Sequence, residues 1–362
     1  MTTLQRRQLL QSSLLAGAAS LGLPGLAAAE PRRFQPRVDG WRTFDVTTTV
    51  RLREARAAST VWLPVPSLDT QWTSSSGEVG LAADGDTGAR VLVGRFAASD
   101  AAPTLTLVNR VQTQNRATDW AARPAGPAPT PEELQRWRAP SRLITTDGIV
   151  RKVAEQIVAG ARDDREKAQR IYDWVVVSAY REPKVRGCGV GDIKTMLETR
   201  NLSGKCADIN ALFVGLCRAA GLPARDIYGV RLVPSAFGYR ELGANPASLQ
   251  GAQHCRAEVY LQAHGWVSMD PADVTKVMRQ ETAEWIKDAG HPLVAPVRKA
   301  LFGSWEGNWM GYNTASDVAL PGATQGRLGF FMYPQAEVGG VARDPYAPDD
   351  FSYQITAREI GA

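Results

Sequence analysis

The chain has 362 residues, 44% of them hydrophobic, enough to bury a substantial core and to form about two domains. Its 42 basic and 37 acidic residues give a formal charge of +5 with no block of like charge, which excludes a nucleic-acid-binding arm. Past residue 29 no apolar run reaches the roughly 18 residues of a membrane span, so membrane insertion is not expected once a leader is removed.

Residues 1–29 have the pattern of such a leader: Arg6-Arg7, an apolar stretch softened by Gly and Ser, then Ala27-Ala28-Ala29. The paired arginines followed by Gln8-Leu9-Leu10 resemble the twin-arginine type, which implies export to the periplasm of a folded protein. Residues 40–118 read as an antiparallel β domain. In "FDVTTTVRLR", Phe44, Val46, Thr48, Val50 and Leu52 share one side, and "STVWLPVPS", "ARVLVGRFA" and "PTLTLVNRVQTQ" are further runs of strand type. Residues 119–131, rich in Ala, Pro and Gly, are expected to link two folded parts.

From residue 132 to 330 a second domain is expected. Apolar stripes through Ile149, Val150, Val153 and Ile157, and through Ala168, Ile171, Tyr172 and Val175, predict two helices, with Asp147 and Asp163 or Asp164 as caps. "GCGVGD", residues 187–192, has a superficial look of a phosphate loop but neither the preceding strand nor the spacing. Cys206 opens a third helix, with Ile209, Leu212, Phe213 and Leu216 at helical spacing and a stop near Gly221. "AEVYLQ" and "GWVSMDPA" flank a turn at Ala263-His264-Gly265 and predict a hairpin. Helices first and strands second argue for an α+β fold, and residues 331–362 are expected to be an extension containing strand.

A cysteine at a helix N-terminus meets N–H groups and a partial positive charge that favour thiolate, although Asp208 one turn on opposes this, so a histidine partner is required. Of the three histidines, His264 lies in a turn and His291 in a loop. His254 begins a strand on which Arg256, Glu258 and Tyr260 share its side while Cys255, Ala257, Val259 and Leu261 face the core. Asp270, sixteen residues on, falls on the same face if the hairpin register sum is even, and would orient the imidazole. Cys217 joins the apolar stripe as a core thiol. It lies ~16 Å along the helix from Cys206, too far to bridge. Whether Cys188 and Cys255 pair is open.

"GKCADINALFVGLCRAAGLPAR", "HCRAEVYL" and "GWVSMDPADV" together resemble the three-block signature of the transglutaminase-like superfamily, over roughly residues 133 to 330. The resemblance implies a papain-like core of helices packed on an antiparallel sheet, preceded by the β-rich domain. It also implies a nucleophile at Cys206, a general base and acid at His254 and an orienting carboxylate at Asp270. Arg256 departs from the family, which often carries an aromatic two residues after the histidine. Trp305, Asn308, Trp309 and Asp317 are candidates for lining the acyl-donor cleft, although aromatic residues in a Gly-rich stretch more often pack. The Cys206 N–H is the expected oxyanion donor, with Asn201, Trp174 and Tyr180 as side-chain candidates for a second.

The expectation is an exported thiol enzyme acting on peptide or glutamine-type amide bonds through a thioester, hydrolysis slightly favoured over amine crosslinking because water is the abundant acceptor. Its partners would be a protein or peptide substrate and an amine acceptor. Absence of a zinc-type cysteine spacing or an EF-hand loop leaves no metal or organic cofactor expected. The alternative is a non-catalytic periplasmic binding or assembly protein using the fold as a scaffold.

Overall fold

The computed structural model describes residues 32–52, 56–98, 102–123 and 127–361; the expected leader lies outside them. Strand Arg42–Arg51 buries Phe44, Val46, Thr48 and Val50 and half-exposes the residues between, as its period of two requires. It is central in a sheet ordered Ser352–Ile360, Arg42–Arg51, Thr104–Thr113, Thr70–Ser74. A second sheet runs Val341–Ala342, Gln335–Val338, Ser59–Pro64, Arg90–Phe96, Glu78–Ala83. Between the two, Val50, Leu105 and Leu107 meet Val61, Leu63, Leu92 and Phe96. The segment from residue 331 on is therefore built into both sheets, its last strand paired with the first from Thr43↔Ile360 to Arg51↔Ser352.

The chain is docked just before and at the start of the expected linker. Arg116–Ala117 pairs with Ser304–Trp305, and the Trp120 ring stacks on Phe302 at 5.5 Å. Thr130 then caps a short helix, Pro131–Arg136, in a reciprocal capping box with Glu133. Local polar signals thus end the irregular stretch one residue before its expected boundary.

The fold is α+β. Its core sheet, antiparallel throughout, has the order Gly265–Met269, Gln253–Leu261, Ala224–Arg231, Trp309–Asn313. Helix Cys206–Ala219 lies against the two middle strands, with helices Gly148–Val158, Asp164–Ser178 and Ile193–Glu198 packed around it. Thirteen of its residues, Cys206 through Arg218, are buried, so it is enclosed on every side rather than along one stripe. At Gly215 a Cβ would collide with Ile193 Cδ1, which is what lets helix Ile193–Glu198 approach so closely. Asp163 caps helix Asp164–Ser178 by accepting from the Glu166 N–H, whereas Asp147 makes no side-chain cap. Among the described residues no helix is long and apolar enough to cross a membrane.

Asp226, on strand Ala224–Arg231 of this sheet, is buried at 3% exposure, and neither carboxylate oxygen has a hydrogen-bond partner. Burial, only partly offset by the Arg218 charge, raises its pKa to about 7. The unfolded chain ionises this group near pH 4, so folding is penalised progressively from there up to about pH 7, reaching about 4 kcal/mol. Asp226→Asn should therefore raise the thermal midpoint at pH 8. In melts repeated at falling pH, the gain should shrink below pH 7 and vanish near pH 4.

Candidate active site

The first turn of helix Cys206–Ala219 is fastened by one carboxylate. Asp208 accepts from the N–H groups of Lys205 at 2.9 Å, Val190 at 2.8 Å and Gly191 at 2.9 Å, and the Ala207 N–H donates to the Cys188 carbonyl at 2.9 Å. The 187–192 loop thus does cradle an anion, but an internal one. Gly189, at φ 95°, has no room for a Cβ, which would overlap the Asp208 carboxylate. Asp208, expected to oppose thiolate formation, is engaged by these three donors.

Strand Gln253–Leu261 brings His254 opposite Gly229. In the hairpin Ala257 faces Met269 and Leu261 faces Gly265, an even register that puts His254 and residue 270 on one face. Strand Gly265–Met269 stops one residue short of Asp270. Asp270 is the N-cap of helix Pro271–Gln280, with Pro271 in its first turn. Its Oδ1 accepts from the Asp273 N–H at 3.1 Å and from Asn210 Nδ2 at 3.2 Å, and its Oδ2 meets His254 Nε2 at 2.7 Å. With Nε2 engaged, Nδ1 is the nitrogen left for the sulfur.

The thiol and the imidazole hold each other in charged form. Burial alone would push the Cys206 thiol up, but hydrogen bonds with Cys188, Cys255 and His254 and the charge on His254 bring it well below the usual thiol value. Burial and Arg231 act to lower the His254 pKa. The charges of Asp273 and Asp270 and the Asp270 hydrogen bond outweigh them and raise it. All four cysteines are free thiols, so Cys188 and Cys255 are not bridged.

Around this pair sits a second set of buried charges. Asp273 lies 3.3 Å from His254 Nε2 and is bound by Arg231. Arg256 Nε stands 3.7 Å from Asp270 Oδ2. Two carboxylates and two guanidiniums sum to zero, so a thiolate–imidazolium pair adds no net charge to the buried cluster. His254, Asp270 and Asp273 also place ligand atoms within 4.8 Å of one another, a conceivable metal set. Arg231 and Arg256 already supply the compensating cations there, and the donor set suits proton handling rather than a metal ion.

Arg256 does not border the cavity of Cys206 and His254. Its guanidinium lies 4.8 Å from the Trp309 ring centroid and 5.5 Å from that of Trp305, and Nη1 donates to the Glu306 carbonyl at 2.9 Å. Trp309 Nε1 donates to the His254 carbonyl at 3.0 Å, and Trp305 Nε1 to that of Met269 at 3.2 Å. The two tryptophans, expected in an acyl-donor cleft, instead clamp the backbone at the histidine and beside the aspartate. They border a separate cleft of about 910 Å³.

Cys206 and His254 open into a cavity of about 210 Å³, bordered also by Arg181, Asn245, Gln253 and Lys276. None of the other expected residues lines it. Asn308 is fully buried and donates to the Leu242 carbonyl at 2.9 Å; Asp317 accepts from the Arg142 N–H at 2.8 Å. Asn201 is exposed and accepts from the Ser203 N–H at 3.2 Å, Tyr180 leans on Trp285, and Trp174 packs against the core. Asn201, Trp174 and Tyr180 thus lie off the lining of the cavity that Cys206 and His254 share.

Asn210, Asp273 and Arg231 complete the site and were not anticipated. Asn210 lies one helical turn after Cys206 and ties three elements together. It donates to the Cys255 carbonyl at 2.8 Å and to Asp270, and accepts from the Ala272 N–H at 3.2 Å. Its i, i+4 spacing from Cys206 and the i, i+3 spacing of Asp273 from Asp270 were the available signals. Removing the Asp270 charge should lower the His254 pKa. In Asp270→Asn the fast alkylation of Cys206 by iodoacetamide, followed against pH, should lose its neutral-pH plateau, the thiolate no longer being held by imidazolium above the new His254 value.

Residues 151–271 match the family model described as the transglutaminase-like superfamily. An uncharacterized protein of Haemophilus influenzae is 40% identical over 237 residues, 63% of this chain and 63% of that protein, so the match spans less than two thirds of the relative's length. The crystal structure of a provisionally designated cysteine protease from Cytophaga hutchinsonii aligns at TM-score 0.54 and 15% identity over 90% of this chain and 93% of that one, a likeness of fold. The periplasmic domain of TgpA from Pseudomonas aeruginosa aligns at TM-score 0.36 and 15% identity over 69% of this chain and 75% of that one, too loosely to carry an argument. The matched segment, running from the core helices through the cysteine and histidine blocks to the capping aspartate, is similar to the transglutaminase-like superfamily across the whole candidate site.

Proposed function

We propose that the protein is an exported thiol enzyme that transfers acyl groups from peptide or glutamine-type amides. The observation that carries this reading is the Cys206 thiol, held low in pKa at a helix N-terminus, sharing a cavity with a His254 whose far nitrogen is bound 2.7 Å from Asp270. The Cys206 thiolate attacks the amide carbonyl, and the Cys206 N–H, at the first helical position with no intrahelical acceptor, stabilises the oxyanion. His254 gives its Nδ1 proton to the departing amine, leaving a thioester. Water or a second amine, deprotonated by the now neutral imidazole, releases the acyl group and regenerates the thiol. Asp270 keeps the ring oriented throughout. Hydrolysis is favoured over crosslinking, and the Arg6-Arg7 leader supports delivery to the periplasm by the twin-arginine route.

A second reading, a binding or assembly scaffold, is favoured by the low exposure of Cys206 and His254, 2% and 4%. Alkylation separates the two. An enzyme labels at Cys206 well below pH 8.5, and His254→Ala removes that acceleration; slow labelling, equal in both proteins, supports the scaffold. In periplasmic extract supplied with a tagged amine, the wild-type protein should release peptides, with tag incorporation as the minor product. Cys206→Ser should abolish both, and His254→Ala should reduce both by about 10²–10⁴-fold.

A further inference from the structure

The cavity that contains Cys206 adjoins a second of about 460 Å³, and Arg181, Gly251 and Gln253 border both. Apart from the Cys206–His254 pair, the charged side chains across the two linings are Arg181, Arg186, Lys205, Arg231 and Lys276, with no carboxylate among them. Three of these cations are compensated from behind: Arg186 by Asp344, Arg231 by Asp273 and Lys276 by Glu241. Among the described residues Arg181 and Lys205 have no such ion pair. The cleft bordered by Trp305 and Trp309 differs, since Asp69 and Glu306 stand among its arginines.

Arg181 is also fixed relative to the nucleophile. Its two-residue strand, Tyr180–Arg181, pairs in parallel with Ser203–Gly204, bringing Arg181 opposite Gly204, two residues before Cys206. Arg181 Nε donates to Gln280 Oε1 at 2.9 Å, which orients the guanidinium and leaves both terminal nitrogens for an external acceptor.

We propose that Arg181, with Lys205 beside it, selects an acidic peptide by pairing with a carboxylate carried next to the scissile amide. A planar guanidinium with its terminal nitrogens free matches a carboxylate in two-point geometry. Burial and the Arg181 charge hold the Lys205 ammonium below its ordinary pKa, against Cys188, Cys206 and Asp208, which raise it. A bound carboxylate relieves that repulsion. The inference deepens the thiol reading, from which it takes the position of the reacting bond.

Binding to the Cys206→Ala protein needs no chemistry and tests it directly. The probes are fluorescein-labelled Ala-Gly peptides with amidated C-termini carrying two glutamates, their glutamine twins, and a glutamine twin with a free C-terminal carboxylate, read by fluorescence anisotropy. An acidic peptide should bind about tenfold or more tightly than its amide twin, less so at high salt. In Cys206→Ala/Arg181→Gln that ratio should fall to about one, and Arg181→Lys should restore part of it. A merely structural defect would weaken both twins together and leave the ratio standing. An Arg181-dependent gain seen only with the free terminus supports the proposal and identifies the carboxylate as the chain end. Equal affinities of every acidic probe and its amide twin, or a preference that survives Arg181→Gln, overturn it. If acidic peptides bind as expected but wild-type protein neither labels at Cys206 nor turns over any peptide, the carboxylate site stands and the thioester reading falls.

Discussion

One carboxylate joins the parts of this molecule that matter most. Asp270 is at once the cap of helix Pro271–Gln280, the acceptor for Asn210 on the Cys206 helix, and the partner of His254 on the central sheet. A helix N-terminus supplies N–H donors and positive potential, so capping and charge stabilisation are one act. The orientation of the imidazole is consequently as firm as the packing of three secondary elements.

Burying such a group carries a penalty that isolated pairing would not meet. Desolvation and Asp273 raise the Asp270 pKa, against His254 and Arg256, which lower it. Arg256 is itself held by ring faces as well as by the Asp270 charge. Two indole rings flank it, and burial lowers its pKa to about 10. The tryptophan nitrogens meanwhile fix the carbonyls of His254 and Met269. Arg256 therefore acts on the far side of the carboxylate, away from the cavity of Cys206.

Much of the architecture was legible because its signals are local. Period-two burial in Arg42–Arg51, a cysteine after Gly-Lys opening an apolar helix, and a hairpin turning at Ala263-His264-Gly265 each follow from neighbours in sequence, whereas the even register of that hairpin needed the structure. Asp270 was legible as a residue but not as a cap, since Asp-Pro suits turns and helix starts alike. The direction in which Trp305 and Trp309 point was not, because an aromatic in a Gly-rich stretch gives no hint of its partner. Arg256, 50 residues before Glu306, explains both rings only in three dimensions. Asn210 escaped for a related reason: its spacing was visible, but its acceptors on a strand and a cap were not.

The pairing of Arg42–Arg51 with Ser352–Ile360 bears on how the molecule is made. The Arg42–Glu359 ion pair along that seam joins positions 317 apart in sequence. Residues 352–360 must have left the ribosome before that edge can zip, so strand Arg42–Arg51 waits for this neighbour long after it is itself made. During the wait the apolar face of Phe44, Val46 and Val50 lacks its final cover, and this interval is the one in which a nascent chain most needs a holding chaperone.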